Sequence, residues 1–269
     1  MIKKSDGEKE MDDMSIIVMS CDKYEDCWNP YMQCLHKFWP ECSYPTVLCS
    51  ESKDSDMFDK CILSGSTTWS ERLLNALDNL DNKYVLFTLD DFWLSQKVDD
   101  KKMKDYISCF ENNPKIGVIY LDEDLKSKCD YADGLQEISF ETAYRVNAGP
   151  AIWKVNAFRS VIRKEESAWD FERMGSYRSE GKEFIALQTE KSEWKRVFVY
   201  GAVERGKWNK RLSTVLQNEG IDVNLGNRRT KNNMDYAKGA VKSFIYNLNP
   251  TLIVKVQNWI YKNKGRNNE

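Results

Sequence analysis

Apolar and polar positions alternate along this chain in blocks that change period, and the blocks name the elements. "MSIIVMS" (14–20) is a short apolar run rich in β-branched residues and predicts a buried strand, which breaks at Cys21-Asp22-Lys23. Trp28, Tyr31, Met32, Leu35, Phe38 and Trp39 then recur at steps of three and four, the stripe of an amphipathic helix that Pro40 closes. "PTVLCS" (45–50) and "CILSG" (61–65) predict two more strands. Thr68-Trp69-Ser70-Glu71 has the form of a capping box ahead of Leu73, Leu74, Leu77 and Leu80. "YVLFTL" (84–89) is a strand running into Asp90-Asp91, and Asp99 caps a helix carrying Met103, Tyr106, Ile107 and Phe110, ended by Asn113-Pro114. "IGVIYL" (116–121) is the next strand.

Strand, helix, strand, helix, strand is the grammar of an α/β layer protein with a mostly parallel sheet. Ligands in such sheets sit beyond the carboxyl ends of the strands, where Asp22 and the Asp90-Asp91 pair fall. After residue 135 the pattern loosens. "AGPAIWKVNAFRSVIRK" (148–164) reads as a turn and then a helix, and "SAWDFERMGSYRS" (167–179) begins another. "RVFVYGAVERGKW" (196–208) reads as a strand followed by a glycine-bounded loop. The expected organisation is a disordered leader (1–13), a domain over 14–235 with halves at about 14–125 and 135–235, and a basic amphipathic helical segment over 236–269.

Composition narrows the function. With 40 Lys and Arg against 42 Asp and Glu, the chain lacks the basic excess expected of a nucleic-acid binder. No window reaches the roughly 18 apolar residues of a membrane span. The start, "MIKKSDGEKEMDD", has no apolar signal core. Eight cysteines include no C-x-x-C pair, and six fall within 21–61; they read as reduced thiols of a cytosolic protein. His36 is the single histidine, so histidine-based zinc sites and Ser-His-Asp or Cys-His catalysis lose their support. Neither G-x-G-x-x-G nor G-x-x-x-x-G-K-[ST] is present. Carboxylate, arginine and aromatic chemistry remain. Adjacent carboxylates at a strand end suit Mg²⁺ or Mn²⁺, which take few protein oxygens and complete their shell with phosphates. The competing reading of Asp90-Asp91 is a solvated turn or a helix cap.

"SIIVMSCDKYEDCW" (15–28) followed by "WSERLLNALDNLDNKYVLFTLDDFW" (69–93) resembles the GT-A-type glycosyltransferases, a single Rossmann-like domain using nucleotide-sugar donors. "CDKY", "WP", "LDDFWL", "GPAIW" and "WDFE", in that order over about 14–210, resemble more particularly the glycosyltransferases of bacterial capsule and lipopolysaccharide gene clusters. The resemblance implies that Ser20, Cys21, Asp22 and Tyr24 line a uracil or ribose pocket. It places Arg72 near the donor phosphates and gives Asp90 and Asp91 the metal (Mn or Mg) and the sugar-phosphate end. Phe92 stands where a strict D-x-D has its second carboxylate. The implied partners are a UDP-sugar and a glycan or lipid-linked saccharide acceptor.

Inverting transfer needs a carboxylate base. "SAWDFER" offers Asp170 and Glu172, with Asp170 set ahead by the motif match, although Ser167-x-x-Asp170 is also a capping box. Trp93 and Trp153 are candidates to stack on acceptor sugars, or else core rings. Arg205, Lys207 and Trp208 could clamp the diphosphate or the acceptor, or form an ordinary solvated loop. The basic, aromatic 236–269 segment suits peripheral contact with the inner face of a membrane, or a terminal helix packed on the domain. Two other classes fit parts of the pattern: a nucleotidyltransferase acting on sugar phosphates, which normally needs a glycine-rich first loop, and a non-catalytic carbohydrate-binding protein.

Overall fold

The computed structural model describes residues 13–121, 125, 127–131, 134–180, 184–189, 197–199, 202–204, 206–224, 226 and 228–236. The expected leader up to residue 12, and the C-terminal segment beyond Tyr236, lie outside the described residues.

The elements follow in chain order. β1 (Met14–Met19) leads through a 3-10 turn (Asp22–Cys27) into α1 (Trp28–Phe38), β2 (Thr46–Ser50) and β3 (Lys60–Leu63). Next come α2 (Trp69–Asp78), β4 (Tyr84–Leu89), β5 (Trp93–Leu94), α3 (Asp100–Asn112) and β6 (Ile116–Tyr120). The second half contains β7 (Ser127–Asp130), β8 (Leu135–Ile138), β9 (Ala151–Lys154), α4 (Val155–Val161) and α5 (Ala168–Arg178). β10 (Ile185–Thr189), β11 (Phe198–Val199), β12 (Val203–Glu204), β13 (Lys207–Trp208) and α6 (Lys210–Asn218) complete it.

Nine strands form one sheet in the order β3-β2-β1-β4-β9-β6-β10-β8-β7. β9 and β8 run against the other seven, so the fold is α/β with a mostly parallel, mixed sheet. All six residues of β1 are buried because helices cover both faces, which explains its unbroken apolar run. Ile16 and Val18 face a core built with α1, α3 and α6, while Ile17 and Met19 face one built with α2, α4 and α5. The cap signals form as read. Thr68 and Glu71 close a reciprocal capping box on α2, and the Asp99 carboxylate accepts from the N–H groups of Lys101 and Lys102.

One element differs from expectation. The stretch before α4 is a strand, not a turn: β9 inserts between β4 and β6, antiparallel to both. A four-residue strand entering a helix without a breaker leaves no local boundary to read.

Candidate active site

β1 and β4 are in register with Met19 opposite Leu89, so the residues that follow them, Ser20 and Asp90, emerge side by side. The Asp90 N–H donates to Met19 O (3.2 Å), and the Ser20 hydroxyl donates to Asp90 Oδ2. Trp28 Nε1 in turn donates to Ser20 Oγ (2.7 Å). Asp90 is only 5% exposed, and burial followed by the charge of Asp91 drives its pKa well above the usual carboxylate range. Asp91 is half-buried, and its pKa is also raised, chiefly by desolvation. The doublet is thus a turn that carries one buried and one half-buried carboxylate side by side at the end of β4.

The rings after the doublet brace it. Phe92 is buried, and Trp93 is 0% exposed, donating from Nε1 to Asp90 O (2.8 Å) with its ring 5.7 Å from that of Trp208. Val199 of β11 pairs with Trp93 and holds it there. This corrects the acceptor-stacking expectation for Trp93, since no face is open to a sugar. Trp153 is likewise corrected. It sits on β9 at 0% exposure, stacked 4.2 Å from Phe158 and edge-on to Tyr120.

Ser20, Cys21, Asp22 and Tyr24 after β1, and Arg72 on α2, were expected to meet the donor. Arg72 is buried and already engaged, with Nη1 to Ser20 O (2.6 Å) and Nη2 to Glu51 Oε1 (3.0 Å) and Thr67 O (3.3 Å). It holds the Ser20 backbone in place, and its guanidinium is not presented to phosphates. The Asp22 carboxylate accepts from the Ser52 hydroxyl, Ser52 N (3.0 Å) and Lys53 N (3.1 Å). The Ser52 bonds lower its pKa to about 2. Cys21 is half-buried with its thiol pKa raised by desolvation. Tyr24 packs against the core, and burial, then the charges of Asp91 and Asp90, push its hydroxyl up to about 12.

Sequence reading missed Arg228. Its Nε and Nη2 form a bidentate pair with Asp26 Oδ2 (2.8 Å) and Oδ1 (2.7 Å). Its guanidinium carbon lies 4.5 Å over the Tyr24 ring and 5.7 Å from that of Trp208. It is also the cation that both Asp90 and Asp91 feel. Backbone bonds between Trp208 and the 229–231 stretch hold this segment against the site. Beside it, Lys231 Nζ pairs with Glu204 (2.6 Å), and Lys207 Nζ pairs with Asp235 (2.8 Å). Trp208 is buried, and Arg205 lies outside the described residues.

The two base candidates separate clearly. The Asp170 carboxylate is spent on the α5 capping box, accepting from Ser167 N and Oγ (3.2 and 2.6 Å), with Arg173 at 3.4 Å. Glu172 Oε1 accepts from Ala148 N (3.1 Å), and burial raises its pKa. Ala148 leads into Ala151, which pairs with Phe87 near the carboxyl end of β4. Glu172 thus bonds to the backbone that enters β9. The motif match favoured Asp170, whose carboxylate is committed to the cap. His36 is exposed on α1, and all eight cysteines are free thiols.

Among the described residues, no group of three or more His, Cys, Asp or Glu side chains is placed to hold a metal. Asp90 and Asp91 are adjacent carboxylates, the hard-oxygen donor type that Mg²⁺ or Mn²⁺ takes. No helix among the described residues is long and apolar enough to cross a membrane.

No protein-family model matches this sequence, and no curated protein matches it. Among solved structures, S. aureus TarS 1–349 in complex with UDP is similar at a TM-score of 0.45 and 12% identity, over 67% of this chain and 58% of that one. The same protein with UDP-GlcNAc is similar at 0.42 and 11%, over 66% and 58%. A longer TarS structure gives 0.42 and 10%, over 68% of this chain and 38% of that one. The chain thus spans between 38% and 62% of these neighbours, and at such identities the likeness assigns no residue a role.

Proposed function

We propose that this chain is a glycosyltransferase that moves a sugar from a UDP-sugar to a glycan or lipid-linked saccharide in bacterial surface-polysaccharide synthesis. The observation that carries the reading is the Asp90-Asp91 pair, one carboxylate buried and the other half-buried, with Asp90 joined through Ser20 to the end of β1. It lies beyond the carboxyl ends of two adjacent parallel strands, where open α/β sheets bind ligands.

In this reading the nucleoside lies along Ser20–Tyr24, and the diphosphate faces Asp90 and Asp91. Those two carboxylates would hold Mg²⁺ or Mn²⁺, which supplies charge neutralisation for the departing diphosphate. Glu172 is the base. The acceptor hydroxyl oxygen bonds to the anomeric carbon, its proton passes to the Glu172 carboxylate, and the sugar–phosphate bond breaks with its electron pair leaving on the nucleoside diphosphate. Attack opposite the leaving group inverts the anomeric configuration. Burial raises the proton affinity of Glu172 and suits it to this task. A lipid-linked acceptor would give the basic, aromatic 236–269 stretch a role at the membrane face.

Calorimetric titration with UDP, GDP and CMP, each with and without Mn²⁺, tests the reading. UDP is expected to bind, more tightly with the metal. No heat from any of the three discards a nucleotide-sugar site.

A further inference from the structure

Arg228 is engaged, in this structure, on the surface that a nucleotide would use. Its guanidinium lies over the Tyr24 ring at 4.5 Å, and Tyr24 also packs against the core. A flat cation at that height fills the stacking distance of a base, so Arg228 and a nucleobase cannot occupy that ring together. Around the guanidinium the carboxylates predominate. Asp90 feels Asp91 and Asp26, Asp91 feels Glu204, and Lys231 is committed to Glu204. A diphosphate entering such a place meets repulsion unless a cation turns toward it. Arginine is the side chain suited to both partners, because its planar fork binds carboxylate and phosphate in the same bidentate manner.

We propose that Arg228 is an exchangeable latch of the donor site: a bound base displaces its guanidinium from Tyr24, and the guanidinium passes from Asp26 to the donor's diphosphate. The inference rests on the nucleotide-sugar reading above and adds the residue that couples base recognition to phosphate recognition. The ion pair with Asp26 is exchanged for one with phosphate, so releasing the latch costs little when the diphosphate is present. A nucleoside without phosphates must break the same contacts with nothing in return.

The test compares uridine with UDP, both titrated calorimetrically in Mg²⁺ buffer, against the wild-type chain, Arg228→Met and Asp26→Asn. In Arg228→Met the ion pair that holds the side chain over Tyr24 and the phosphate cation are both gone. Uridine should bind several-fold more tightly, while UDP binds about tenfold or more weakly, the loss expected for a charge-assisted bond. Asp26→Asn loosens the resting pair and should tighten UDP binding. Uridine and UDP shifting in the same direction in Arg228→Met overturns the latch. Should that variant fail to fold, Asp26→Asn decides alone, and unchanged or weaker UDP binding overturns the proposal. A wild-type chain that binds neither UDP, GDP nor CMP removes the underlying reading instead, and the two failures are distinguishable.

Discussion

Ser20→Ala removes one oxygen on which two buried groups depend. The Trp28 indole N–H donates to it at 2.7 Å from a residue with almost no exposure, and Ser20 Oγ donates to Asp90. Without the hydroxyl, Trp28 keeps a buried donor with no acceptor, at a cost of about 1–3 kcal/mol. Asp90 loses a bond that partly offsets its desolvation, of about 1.5–3 kcal/mol when the carboxylate is ionised. The Arg72 bond goes to the Ser20 carbonyl and survives. Losing so small an atom opens no cavity worth counting, so the sum is about 2.5–6 kcal/mol, a large share of a stability of about 5–15 kcal/mol. Urea unfolding at neutral pH should show a lower midpoint at unchanged slope. A double-mutant cycle with Trp28→Phe isolates the indole share, because Ser20→Ala should cost about 1–2 kcal/mol less in that background. A loss under about 0.5 kcal/mol, or an equal loss in both backgrounds, refutes the relay from Trp28 through Ser20 to Asp90.

Three further outcomes follow from the geometry. Glu172→Gln keeps an oxygen for the Ala148 N–H but cannot take a proton, so sugar transfer should fall by about a hundredfold or more with UDP affinity retained. Because burial raises the Glu172 pKa in the fold, the folded chain holds that proton more tightly than the unfolded chain. Stability from this group therefore declines as pH rises from about 4 through the folded value. Thermal melts of Glu172→Gln at pH 8 should match or exceed wild type, and a clear loss there would contradict the assignment. The Asp22 pKa is lowered to about 2, so its contribution is present above about pH 4 and lost as pH falls through 2; Asp22→Asn should flatten that part of an acid-unfolding curve followed by circular dichroism. Gly175→Ala would place a methyl 2.8 Å from Val146 Cγ1 and 3.2 Å from Val161 O, so urea titration should show a loss of about 1–2 kcal/mol despite the helix propensity gained.

The first half of the fold is legible because its signals are local. The period of three and four in α1, the Thr68 capping box and the Asp99 cap each bind groups a few residues apart, and each forms as read. The same holds for the carboxylates at the end of β4, whose place follows from one apolar run. Legibility fails where meaning comes from distant partners. Trp93 and Trp153 look like cleft rings until β11 and α4 pack on them, after which both are core. Arg228 drew no reading from the sequence, since its partner Asp26 lies 202 positions earlier and nothing near it marks a site. Asp170 shows the converse. Its capping-box spacing from Ser167 was visible in the sequence, and the cap is where its carboxylate goes.

The reversed course of β9 also bears on how the molecule can be made. β4 and β6 do not pair; the strand between them arrives only with residues 151–154. A nascent chain that has emerged through residue 121 holds two raw sheet edges, each waiting for a partner not yet translated. The first half of the sheet is therefore no free-standing module, and excising it would yield an aggregating fragment.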